Sequence, residues 1–88
     1  MTEFVEGTYV RPIEPFPTNY FDDKPNSVLL ILSVYPAGNT YGAIAKLFVN
    51  YKEMKDLNYK VALEKPDNYT LVADENEIAL IALSNMGD

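Results

Sequence analysis

The chain has 88 residues, 48% of them hydrophobic and 23% charged, and its formal net charge is −6. It contains neither cysteine nor histidine. That removes thiolate, iron–sulfur and cysteine-type zinc chemistry, together with the usual general base near neutral pH. Serine–histidine–aspartate and cysteine–histidine catalysis are ruled out, so we expect a non-enzymatic protein with no cofactor and no metal.

The length corresponds to one small domain over 1–88, of ordinary globular composition. Its expected stability is roughly 4–13 kcal/mol. An acidic chain repels phosphate backbones and anionic membranes and is drawn to basic surfaces. A protein partner with a basic surface is therefore the expectation, nucleic acid is disfavoured, and a homo-oligomer stays open. Met1-Thr2-Glu3 begins acidic with no apolar signal region behind it, and the VLLIL run at 28–32 is too short to span a bilayer. These features predict a soluble, cytoplasmic protein. The composition is of a kind frequent among phage and mobile-element proteins.

In chain order, residues 2–10 suit short β structure with a tight bend at Gly7. From about 11 to 25 runs a segment with Pro12, Pro15 and Pro17 set among Tyr9, Phe16, Tyr20 and Phe21. Each proline fixes its own φ and restricts its predecessor, so this reads as an extended arm. The arm either covers the domain's own sheet edge or docks on a neighbour. SVLLILSVY at 27–35 is an apolar run bounded by turn residues, hence a buried strand.

Residues 40–51 fit either a helix capped by Thr40 or a strand returning through the PAGN turn. Lys46 is their only charge up to Tyr51, and Tyr41, Ile44, Phe48, Val49 and Tyr51 favour strands. We take the strand, to about Tyr51, with Tyr41, Ala43, Ala45, Leu47, Val49 and Tyr51 on one face and Gly42 at a bulge. KEMKDL at 52–57 reads as a short helix, and two strands near 59–64 and 68–73 flank Pro66-Asp67. EIALIALS at 77–84 reads as a last strand or as a helix capped by Asp74 with Glu77 three residues on. After two hairpin-like strands, the strand is preferred.

The predicted fold is therefore mainly β, a strongly bent antiparallel sheet or partly open barrel of five to six strands with one short helix near 52–57. The alternative is an α+β domain with a helix at 41–57 packed on an antiparallel sheet. The order resembles that of oligonucleotide-binding barrels, in element order alone.

The expected function is that of a protein–protein interaction module, an inhibitor of, or accessory subunit to, a larger partner. Tyr9, Arg11, Phe16 and Tyr20 in the arm are candidate contacts, because tyrosine and arginine dominate recognition surfaces. Arg11 would anchor the arm by pairing with a carboxylate. Asp74, Glu75 and Glu77 form a candidate acidic edge. The DENE turn at 74–77 lacks the glycine and the distal glutamate of a calcium loop, so it is read as solvated. Two alternatives remain. A single-strand nucleic-acid binder would stack bases on Tyr41, Phe48 and Tyr51 beside Lys46 and Lys52. A small-ligand-binding oligomer would need a pocket between subunits.

Overall fold

The computed structural model describes residues 4–13, 21, 23–54 and 60–86. The fold is mainly β: among the described residues, six antiparallel strands form one open sheet, with a single short α-helix after the last strand. The strands are β1 (Tyr9–Pro12), β2 (Val28–Ala37), β3 (Thr40–Val49), β4 (Lys52–Glu53), β5 (Val61–Leu63) and β6 (Tyr69–Val72). The helix α1 spans Glu75–Ser84. The sheet order is β4-β3-β2-β1-β6, with β5 also pairing β3. β4 takes the end of β3 at Phe48 and Val49, and β5 takes Ala43 to Ala45.

The sheet must curl. β5 and β6 lie at opposite ends of the sheet order, four strand spacings or about 19 Å apart if the sheet were flat. Only five residues join Leu63 to Tyr69, and Pro66–Asn68 among them form a 3₁₀ turn. At about 2 Å per 3₁₀ residue and 3.4 Å per extended one, the link reaches about 16 Å. The curl encloses an inner core in which Val10, Leu29, Ile31, Ala43, Ala45, Leu47 and Leu63 are all buried. Phe4 closes it edge-on against Tyr69, ring centroids 5.8 Å apart. Phe21, at the far end of the proline-rich segment, is buried in the same core. The rest of that segment, 14–20 and 22, lies outside the described residues.

The β2–β3 hairpin confirms the strand assignment of 40–49 and excludes the helix alternative there. Ala37 pairs with Thr40 across a two-residue loop, where Gly38 at φ 60° takes the left-handed position that glycine fills without strain. Tyr41, Ala43, Ala45, Leu47 and Val49 share one face, as the alternation requires. Tyr51 does not join them: β3 ends at Val49, and the turn places Tyr51 against Phe48 on the outer side. The expected bulge at Gly42 is not found. The register shifts instead between Ile31 and Ser33, with Leu32 as the extra residue of β2. That shift changes the alternation, so Leu29, Ile31 and Val34 all reach the inner core. Gly42 instead makes room for an aromatic ring. It pairs with Tyr35, and a Cβ there would stand 2.5 Å from the tyrosine ring.

Two further expectations fail. KEMKDL does not begin as a helix: Lys52–Glu53 forms β4, paired back to β3 through Asn50 and Tyr51. Both loop residues have positive φ, 51° and 67°, the geometry of a tight hairpin turn, and local helix propensity yields to it. Residues 55–57 of that predicted helix lie outside the described residues. EIALIALS is not a strand but α1. Asp74 Oδ1 accepts from the Asn76 backbone N–H at 2.8 Å, and Glu75 and Glu77 sit in the first turn, where the helix dipole favours acids. The remaining departures are at boundaries. Strand β1 is shorter than expected and includes Arg11 and Pro12, and Pro12 pairs only with β6, beyond the two residues that β1 shares with β2.

Candidate interaction surface

Helix α1 crosses the outer side of the sheet and is fastened at both ends. Near its N-terminus, Glu77 receives Arg11 of β1, with Nη2 to Oε2 at 3.1 Å. At its C-terminus, Asn85 donates from Nδ2 to the carbonyl oxygens of Tyr51 and Ile81 and accepts from the Glu53 backbone N–H at 2.8 Å. Between these ties Ile81 is buried with Val28, Phe48 and Val72, while Tyr9, Leu30 and Tyr51 pack around them. Tyr9 and Phe48 meet with ring centroids 6.2 Å apart. Burying Ile81 contributes about 1.5–3 kcal/mol.

The opposite side of α1 is also apolar. Six apolar residues follow one another from Ile78 to Leu83, and 3.6 residues per turn distribute them around the whole helix. Leu80, Leu83 and Met86, spaced by three, are 46%, 65% and 71% exposed, and Ala79 and Ala82 beside them are exposed as well. Singly scattered exposed leucines are ordinary, but a contiguous stripe on one helix is a recognised mark of a docking surface. Treating 77–84 as a strand conceals this stripe. The available signal is the unbroken apolar run directly after an N-cap, since a helix apolar all round has a side left over.

The predicted contact residues are distributed around this helix. Arg11 and Glu77 are brought together, each as the other's partner, so the carboxylate expected for Arg11 belongs to its own chain. Asp74 is the helix cap, and Glu75 is exposed at the head of the outward stripe, four residues before Ala79. Tyr9 sits half-buried in the outer core. Phe16 and Tyr20 lie outside the described residues.

The residues of the nucleic-acid alternative divide between two faces. Phe48 and Tyr51 meet on the outer side, which the alternation of β3 also gives to Lys46, and Tyr41 lies on the other face. Tyr41 is 60% exposed near the tip of the β2–β3 hairpin, whereas Phe48 is buried and Tyr51 packs beside it in the outer core. Lys46 lies 3.6 Å from Glu53, and Lys52 is in β4.

An open cleft of about 390 Å³ lies between Arg11, Phe21, Lys24 and Ser27. Its two cations both face carboxylates, Arg11 toward Glu77 and Lys24 toward Asp23 at 2.9 Å. The ammonium of Lys24 in turn lowers the Asp23 pKa, chiefly through their hydrogen bond. Burial pushes the Tyr69 hydroxyl up to about 12. Among the described residues no group of three or more acidic side chains could hold a metal ion, and no helix is long and apolar enough to cross a membrane. No known protein family, curated protein or solved structure matches this chain.

Proposed function

We propose that this chain is a non-enzymatic, acidic protein-interaction module, an inhibitor of or accessory subunit to a larger partner, and that it docks through the outward stripe of α1. One observation carries this reading. Leu80 and Leu83 on α1, continued by Met86 in the turn just beyond it, form a solvent-facing apolar row on a helix whose other side is already used to close the fold. Leaving that row in water costs free energy that a partner would recover. Helix-in-groove and helix-on-helix recognition use rows of this spacing. Methionine at the end of the row adapts to irregular partner surfaces.

The test is capture from a lysate of the encoding organism. It compares the full chain with Leu80→Gln/Leu83→Gln and with Leu71→Gln, since Leu71 is 55% exposed but lies on β6. A partner held by the full chain and by Leu71→Gln but lost from the double variant supports the reading. A partner held equally by all three would place recognition elsewhere.

A further inference from the structure

We infer that the occupant of the α1 stripe is an amphipathic helix of a cationic partner, apolar along one face and carrying lysine or arginine at the end that meets Glu75. This rests on the docking role proposed for the stripe and adds the partner's chemistry. Charge complementarity on a single helix points to it. Of the two acids inside α1, Glu77 is turned inward and paired with Arg11. Glu75 is exposed at the head of the stripe, and Asp74 before it is exposed too. Residues 73–86 contain no lysine or arginine, and the last turn of α1 has no basic residue. Among the described residues the docking face is therefore an apolar body with its exposed acids at the N-terminal end.

A second copy fits this face poorly. In a parallel pair Glu75 meets Glu75. In an antiparallel pair it meets the carbonyl-rich, negatively polarised helix end, whose own last turn carries no basic residue. Each copy also carries a net charge of −6. An anionic membrane is disfavoured for the same reason, because interfacial helices carry basic polar faces. A partner helix with leucines three and four apart can lie along Leu80, Leu83 and Met86. Ala79 and Ala82 let the two axes approach to about 8–10 Å, the ordinary helix-packing distance.

The test uses the full chain and two labelled peptides of about 18 residues, or five helical turns. Both carry leucine on one face. One has lysine on the other face and its counterpart has glutamate. Fluorescence anisotropy would read binding at low and high salt, with circular dichroism confirming the fold of each variant. We expect the leucine–lysine peptide to bind at least ten-fold more tightly than its counterpart, with the preference shrinking as salt rises. Leu80→Gln/Leu83→Gln should weaken binding about ten-fold or more, and Leu71→Gln should leave it unchanged. Glu75→Lys should cut the lysine-over-glutamate preference several-fold.

Equal binding of the two peptides, a preference untouched by Glu75→Lys, or no binding of either would overturn the cationic-partner inference. Loss of an identified partner from Leu80→Gln/Leu83→Gln would still leave the stripe as a docking surface. Self-association by sedimentation that vanishes in the double variant would assign the stripe to a second copy and overturn the inference. Peptide binding indifferent to the double variant would overturn both the partner class and the stripe.

Discussion

The inner face of the sheet and the helix α1 are built from the same aliphatic residues, and they end in opposite states. On the inner face the chain supplies its own cover: Val10, Leu29, Ile31, Leu47 and Leu63 are each no more than 1% exposed. On α1 only Ile81 is buried, and Leu80 and Leu83 beside it are 46% and 65% exposed. Curling lets one sheet face fold over its own side chains. A straight helix has no such option, since one side can be pressed to the sheet only by turning the other outward. The fold therefore uses only one of the two apolar sides of α1.

If the inner core holds the domain together, its truncation should be the most damaging change. Leu29→Ala should cost about 2–5 kcal/mol, read from the urea midpoint at unchanged slope. Against an expected total of roughly 4–13 kcal/mol, that is enough to bring the domain near unfolding. A cost below about 1 kcal/mol would mean the inner face is loosely packed and the contrast with α1 is false.

The helix contributes through its fastenings, and Asn85 is the chief one. Asn85→Ala removes one donated and one accepted hydrogen bond that join the end of α1 to the β3–β4 hairpin, and a third, to the Ile81 carbonyl oxygen, within the helix. We expect a loss of about 1–3 kcal/mol, with helical signal reduced in circular dichroism. The turn it holds is strained, because Tyr51 is a bulky residue at φ 67°.

Tyr69 reports on the inner face through its proton. Its folded pKa, about 12, lies above the ordinary value of 10.0 because burial disfavours the phenolate. The folded state therefore holds this proton more tightly than the unfolded state does. Its contribution is complete below pH 10 and is lost as pH rises from 10 toward 12. Over that window the stability should fall by up to about 1.4 kcal/mol per pH unit, and Tyr69→Phe should remove this component of the slope. An identical alkaline slope in the variant would contradict the buried position.

A weaker effect still is expected at the Arg11–Glu77 pair. Both side chains are partly exposed, 34% and 24%, so Glu77→Gln should cost only about 0.3–1 kcal/mol and less at high salt. A larger loss would mean that electrostatics, rather than Ile81, docks the helix.

Much of the sheet was legible in the sequence, for reasons that particular residues make clear. Val28 to Tyr35 is too apolar and too short to be anything but a buried strand. The absence of charge on 40–45, with Tyr41 and Ile44 as strand formers, placed β3 correctly. Pro66-Asp67 marked the turn between β5 and β6. Where turn geometry decides, composition misled: Lys52 and Glu53 are good helix formers held in a strand by Asn50 and Tyr51. The helix was hidden because IALIAL has no polar side to reveal a period. The same lack of contrast hid the stripe. The acidic candidates were found by type, but only the fold shows that Glu77 faces inward to Arg11 while Glu75 faces out.

The decisive experiment compares two truncations on one helix, Ile81→Ala and Leu83→Ala, by urea unfolding of the isolated chain. If α1 keeps one side for its own fold and leaves the other for a partner, Ile81→Ala costs about 2–4 kcal/mol while Leu83→Ala stays within about 0.5 kcal/mol of the parent. Equal costs at the two positions would show that the outward stripe is packed within its own chain, and no docking surface would remain on α1.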